Sequence, residues 1–92
     1  MIRSFRHKAL ERFFATGDGR RLSVQSPRRI ANILRALDDA TRAEDMNLPG
    51  FRFHALIGRD KGRYAVNASR NWRITFGWLD GEAVDVDLED HH

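Results

Sequence analysis

Two spacings of apolar residues divide the chain. Ile2 to Phe5 predicts a short first strand. In His7–Thr16 the apolar residues Leu10, Phe13 and Phe14 recur at i, i+3 and i+4, the stripe of an amphipathic helix, and Gly17 stands where a left-handed residue would end it. Asp18 to Gln25 reads as a polar, basic connection. Ser26-Pro27 then combines a favoured N-cap with a proline at the first helical position. Ile30, Ile33, Leu34 and Leu37 follow at helical spacing, and the pattern fades over Ala40–Ala43. After Pro49-Gly50 the period becomes two: Phe51, Phe53, Ala55 and Ile57 alternate with Arg52, His54 and Leu56. Gly58–Gly62 reads as a turn, Arg63–Asn67 as the returning strand, and Ser69-Arg70-Asn71 as a second turn. Trp72–Trp78 and Glu82–Leu88 form a last hairpin around Asp80-Gly81.

The order β-α-α-β-β-β-β predicts an α+β two-layer domain, with two N-terminal helices on one face of a mostly antiparallel sheet. A two-residue Asp80-Gly81 loop would send the apolar residues of the final hairpin to opposite faces. A three-residue loop, Leu79-Asp80-Gly81, gathers them by pairing Phe76 with Val84, Ile74 with Val86 and Trp72 with Leu88. Because register follows the buried face, the three-residue loop is expected. It sets Arg73 across from Asp87 and Thr75 across from Asp85, on the polar face.

Composition narrows the function classes. The 92 residues fit a single domain spanning 1–92. With 41% hydrophobic and 32% charged residues, the chain reads as globular rather than disordered. No apolar run reaches membrane-spanning length, and the start shows no signal-peptide core, so a cytoplasmic location is the expectation. The absence of cysteine excludes disulfides and thiolate metal sites. Charge is segregated: residues 1–35 carry nine Lys and Arg against Glu11 and Asp18, whereas residues 80–92 carry six acids and no Lys or Arg. Arginines outnumber lysines by 14 to 2, which fits bidentate phosphate recognition or simply a GC-rich coding bias. An open sheet face bearing His54, Arg63 and Arg73 would suit a polyanion.

The opening "MIRSFRHKALERFF..G", the stretch "LPGFRFHAL.G", the strand "NWRITF" and the ending "LEDHH" resemble HigB-type killer toxins of the RelE superfamily, from the first residue to the last. The family's usual pattern reads "MI.SF.HK.L..FF..G", "P…HPLKG", "NWRI.F" and "Y.DYH". Two positions depart from it: Ile57 stands where the family often has Lys, and His91 where it often has Tyr. The resemblance implies a ribosome-dependent endoribonuclease that cuts mRNA in the ribosomal A site without a metal or other cofactor. It also implies a helix-turn-helix, HigA-like antitoxin partner, through which alone the toxin would reach operator DNA, and no membrane partner. Family functional residues fall on His54, Arg73, Asp90 and His92.

The chemistry suits those residue types. Metal-free RNA cleavage needs a base at the 2′-OH, an acid at the 5′-leaving oxygen and positive charge near the phosphorus. Histidine, with a pKa of about 6.5, can serve either proton-transfer role, and arginine stabilises charge developing on phosphoryl oxygens. The sequence leaves open which of His54 and His92 is acid and which base. Asp90 would hold or tune His92. Arg59, Lys61, Arg63 and Arg70 are candidate phosphate or ribosomal RNA contacts, and His91 a candidate for stacking on a base. The plainer alternatives are a surface histidine at 54, a cross-strand ion pair at Arg73 and a solvated charged loop around residues 59–63. A RelE-like module that binds RNA, ribosome or antitoxin with little or no cleavage is the alternative function, favoured by Ile57 and His91.

Overall fold

The computed structural model describes residues 1–22 and 26–90. Helix α1 spans Lys8–Thr16; His7 caps it, its Nδ1 accepting the Leu10 N–H at 3.1 Å. At its other end Gly17 takes the left-handed conformation (φ 78°) and donates its N–H to the Phe13 carbonyl at 2.8 Å. Helix α2 spans Pro27–Asp39 with proline in its first turn. Ser26 is the N-cap as expected, but its side chain makes no capping hydrogen bond. The last three residues of the expected Asp18–Gln25 connection lie outside the described residues.

Four strands follow: β1 (His54–Ala55), β2 (Arg63–Asn67), β3 (Trp72–Leu79) and β4 (Glu82–Asp90). They lie in the order β1-β2-β3-β4, every neighbouring pair antiparallel. The expected alternating strand from Phe51 shrinks to two paired residues. Arg52 is left-handed (φ 51°), which turns the chain out of line before His54, and a 3-10 turn at Gly58–Asp60 ends the pairing.

The expected first strand, Ile2–Phe5, is two isolated parallel bridges, Ile2 to Ala83 and Phe5 to Val86, on the outer edge of β4. An irregularity in β4 explains the interruption. The hairpin turns through two residues, Asp80 (φ 53°) and Gly81 (φ 80°), with Leu79 facing Glu82, so the expected three-residue loop is not formed. Two positive φ values match the right-handed twist of the flanking strands. Gly77 then faces Val84, but Thr75 faces Asp87, so Asp85 and Val86 together oppose Phe76. This is a β-bulge, with Asp85 left-handed at φ 50°. The bulge moves the register by one residue and restores the apolar face that the short turn would have split. The expected pairings are thereby corrected: Ile74 faces Leu88, Trp72 faces Asp90, Arg73 faces Glu89 rather than Asp87, and Thr75 faces Asp87 rather than Asp85. Ser4 ties the N-terminal segment to the bulge, its Oγ accepting the Asp85 N–H at 2.9 Å.

The helices cover the face that carries Ile74, Phe76, Val66, Ala83, Val86 and Leu88. Leu10 and Phe13 from α1, and Ile30, Ile33, Leu34 and Leu37 from α2, complete a buried core together with Met46. The opposite face of the sheet is left to polar side chains.

Candidate functional site

Antiparallel pairing puts facing residues on the same side of a sheet. Away from the helices, one row therefore runs His54, Ala65, Thr75, Asp87, and the next runs Asn67, Arg73, Glu89. A third row, nearer the hairpin tip, holds Arg63, Gly77 and Val84. His54 and Arg73 thus share this face, about 12 Å apart at their Cα atoms by strand spacing.

His54 is exposed. Its Nδ1 lies 2.9 Å from the Arg52 carbonyl oxygen. A carbonyl only accepts, so Nδ1 carries the proton and neutral His54 presents Nε2 as its basic nitrogen. The left-handed Arg52 that shortens β1 also places this carbonyl two residues before the ring.

Arg73 is partly buried, and its guanidinium NH2 stands 3.8 Å from Glu89 Oε1. Its Nε is buried and has no hydrogen-bond partner among the described residues. The other oxygen of Glu89 accepts a short hydrogen bond from the Thr75 hydroxyl. Thr75, a polar residue with 0% exposure, in turn accepts from Arg63 NH2 at 3.0 Å, and Arg63 NH2 also reaches the Asp85 carbonyl at 2.9 Å. Arg63 thus lies across the sheet surface, over Gly77: a Cβ added there would stand 3.9 Å from Arg63 NH1 and 3.1 Å from the Val84 side chain. Burial pulls the Arg63 guanidinium below its ordinary pKa, helped by the nearby positive charge of Arg6. It nevertheless remains a cation at neutral pH.

The remaining candidates are dispersed. Arg59 and Lys61 are exposed in the β1–β2 connection; Arg70 is exposed in the β2–β3 turn, at the other end of β2. A hollow of about 430 Å³ beside the β1–β2 connection is lined by Lys61, Arg63, Tyr64 and Ile57. Asp90 faces Trp72, so the register puts it on the helix-bearing side of the sheet, across from Arg73 and Glu89. His91 and His92 lie outside the described residues. No group of three His, Cys, Asp or Glu residues that could hold a metal ion occurs among the described residues, and none of their helices is long and apolar enough to cross a membrane.

A family model described as RelE-like toxin of type II toxin-antitoxin system HigB matches residues 3–92. Endoribonuclease HigB of Proteus vulgaris is 36% identical over 92 residues, covering all of both chains. Toxin HigB-1 of Vibrio cholerae serotype O1 is 32% identical over 93 residues, covering 99% of this chain and 98% of that one. The chain belongs to the HigB-like family of RelE-like toxins. As a type II toxin–antitoxin family, it carries the implication of an antitoxin partner.

Within this HigB-like chain, sequence reasoning missed Thr75 and Glu89 as a connected pair beneath Arg73. Their partnership depends on the bulge. The sequence carried no signal for it: Val84, Val86 and Leu88 alternate regularly, and only the structure shows Ala83, Val86 and Leu88 on the buried face, a spacing of three followed by two that requires one inserted residue.

Proposed function

We propose that the chain is an endoribonuclease toxin that cuts mRNA in the ribosomal A site by activating the RNA's own 2′-OH. The observation that carries this reading is the open sheet face, where His54 offers Nε2 and Arg73 offers a guanidinium on the same side, in a full-length relative of Endoribonuclease HigB. One histidine, His54 or His92, takes the 2′-OH proton. The 2′-oxygen attacks the adjacent phosphorus, the bond to the 5′-oxygen breaks, and the other histidine protonates that leaving oxygen. The products are a 2′,3′-cyclic phosphate and a 5′-hydroxyl. Each proton transfer is worth roughly 10²–10⁴-fold. Arg73 stabilises the charge on the non-bridging oxygens, Asp90 tunes His92, and His91 stacks on a base. Arg59, Lys61, Arg63 and Arg70 grip phosphates of mRNA or ribosomal RNA, whose backbone charge supplies most of the affinity. A HigA-like helix-turn-helix antitoxin neutralises the toxin in the cytoplasm and carries it to operator DNA.

Induction in cells followed by mapping of 5′ ends on translated mRNA tests this. New 5′-hydroxyl ends are expected, and they are expected to vanish in His92→Ala and Arg73→Ala while the fold persists. Growth arrest with an intact transcript pool would support the second reading, a toxin that binds without cutting. That reading draws on Ile57, an apolar side chain that is 88% exposed where the family pattern places a lysine.

A further inference from the structure

The Arg73 guanidinium is not left to find its own direction. Three side chains in contact lead to it: Arg63 donates to the Thr75 hydroxyl, Thr75 donates to Glu89, and Glu89 faces Arg73. The order is set by proton count. A hydroxyl has one proton and two lone pairs. Arg63, with no acceptor atoms, occupies a lone pair, and the single proton of Thr75 goes to the carboxylate. That contact holds one oxygen of the Glu89 carboxylate and leaves the other facing the Arg73 guanidinium. The base of the chain is itself anchored, because Arg63 NH2 also holds the Asp85 carbonyl within the bulge.

Two details separate this arrangement from an ordinary surface ion pair. Thr75 is fully buried on the sheet face away from the helices, so its hydroxyl has no water to turn to. The Glu89–Arg73 contact, at 3.8 Å, is longer than the roughly 2.7–2.9 Å of a charge-assisted hydrogen bond. Glu89 therefore faces Arg73 without saturating its donors, and Nε has no hydrogen-bond partner among the described residues.

We propose that Thr75 and Glu89 are positioning residues: the relay from Arg63 through the Thr75 hydroxyl and the Glu89 carboxylate sets the direction in which Arg73 meets a phosphate of the RNA backbone. The cleavage part of this inference rests on the ribonuclease reading above. The relay itself does not, and the experiment keeps the two apart. In the free protein, the ¹H–¹⁵N signal of the Arg73 Nε–H group reports the order of the guanidinium. Thr75→Val, which keeps the shape and removes the hydroxyl, is expected to shift and broaden that signal, and Thr75→Ser to restore it. Glu89→Gln, at a partly exposed position, gives the same expected change should Thr75→Val fail to fold. An Arg73 signal indifferent to Thr75→Val, or to Glu89→Gln in its place, overturns the relay whatever happens to RNA.

Cleavage on translated mRNA is the second arm. Thr75→Val is expected to lose roughly 10–100-fold, the scale of a small misplacement of a reacting group. It is expected to lose nothing more in an Arg73→Lys background, which keeps a cation but no guanidinium plane for the relay to set, because residues that act through one another are not additive. A full Thr75→Val loss persisting in that background overturns the positioning role and makes Thr75 merely structural. Wild-type protein that leaves mRNA uncut while the Arg73 signal responds sinks the ribonuclease reading and supports the relay.

Discussion

The same three strands, β2 to β4, present two faces with opposite physics. Toward the helices, Val66, Ile74, Phe76, Val86 and Leu88 are buried against Leu10, Ile30, Ile33, Leu34 and Leu37. On the other side the buried residues of the paired rows are Ala65, Thr75 and Gly77, and Thr75 is covered by hydrogen-bonded charged groups rather than by a second apolar layer. The first face gains stability from area removed from water. The second carries cations and carboxylates whose net contribution to folding is small, and whose arrangement suits an anion that comes and goes. The two roles are divided by strand parity alone: Arg73 lies between Trp72 and Ile74, yet belongs to the other face.

Substitutions on the two faces of β3 break the comparison most directly. Phe76, fully buried and in ring contact with Tyr64 and Trp78, is expected on truncation to alanine to cost about 3–5 kcal/mol, from lost transfer energy and the cavity left behind. In a domain of this size that is a large part of the total stability. Arg73→Ala, three residues away, should change stability by less than about 1 kcal/mol, because its ion pair is partly exposed and loose. Chemical denaturation of both variants checks this. Comparable losses would mean that the polar face helps hold the fold.

The bulge at Asp85 keeps the two faces separate, and it is the next most sensitive point. A non-glycine residue in the left-handed region costs roughly 1–2 kcal/mol, and asparagine and aspartate are the side chains that tolerate it best. Asp85→Gly is therefore expected to be neutral or slightly stabilising. Asp85→Val should lose on the order of 1–2 kcal/mol, with a β-branched side chain placed at φ 50°. Thermal unfolding of the pair measures the difference. Equal melting temperatures would show that the strand slips to a bulge-free register at no cost.

This bulge also marks where the sequence stopped being readable. Apolar periodicity was enough for both helices, the glycine that ends α1, the two-layer α+β arrangement and the face on which each β3 residue lies. Partners across the hairpin were another matter. Beyond the bulge the expected register and the observed one differ by two residues, an even shift that keeps those side chains on their expected faces while replacing every neighbour; between the turn and the bulge they differ by one, so Val84, expected opposite Phe76, faces Gly77 on the other side. Arg73 was thus placed on the correct side beside the wrong acid, and the Thr75–Glu89 contact was invisible. The truncation of β1 had a similar cause, because a left-handed arginine at position 52 is not something alternation can announce. At the site, residue types and the family resemblance pointed to His54 and Arg73, which share the open face. For Asp90 the resemblance could not say which side of the sheet it lies on, and the register puts it with Trp72.

The smallest expected effect concerns carboxylates away from both sheet faces. Asp45 accepts from the Thr41 N–H at 3.0 Å, the Thr41 hydroxyl at 3.1 Å and the Arg42 side chain at 3.2 Å, tying down the turn that follows α2. The Thr41 amide, first among these donors, holds its pKa below the ordinary aspartate value. Asp18, after α1, is held well below by the Arg20 side chain and backbone and by Arg12. A carboxyl with a lower pKa in the folded than in the unfolded chain binds fewer protons when folded, so its contribution is fully present above the unfolded value of about 3.9. That contribution disappears as pH falls from there through the folded value. Both groups sit at the surface, so each contribution is modest. Stability should therefore be insensitive to these two groups above about pH 5 and decline toward pH 3. Asp45→Asn and Asp18→Asn should each flatten part of that decline, while lowering stability slightly at neutral pH. Melting temperatures from pH 7 to pH 3 check the sign: an unaltered acid limb in the double variant would overturn the assignment of that limb to Asp18 and Asp45.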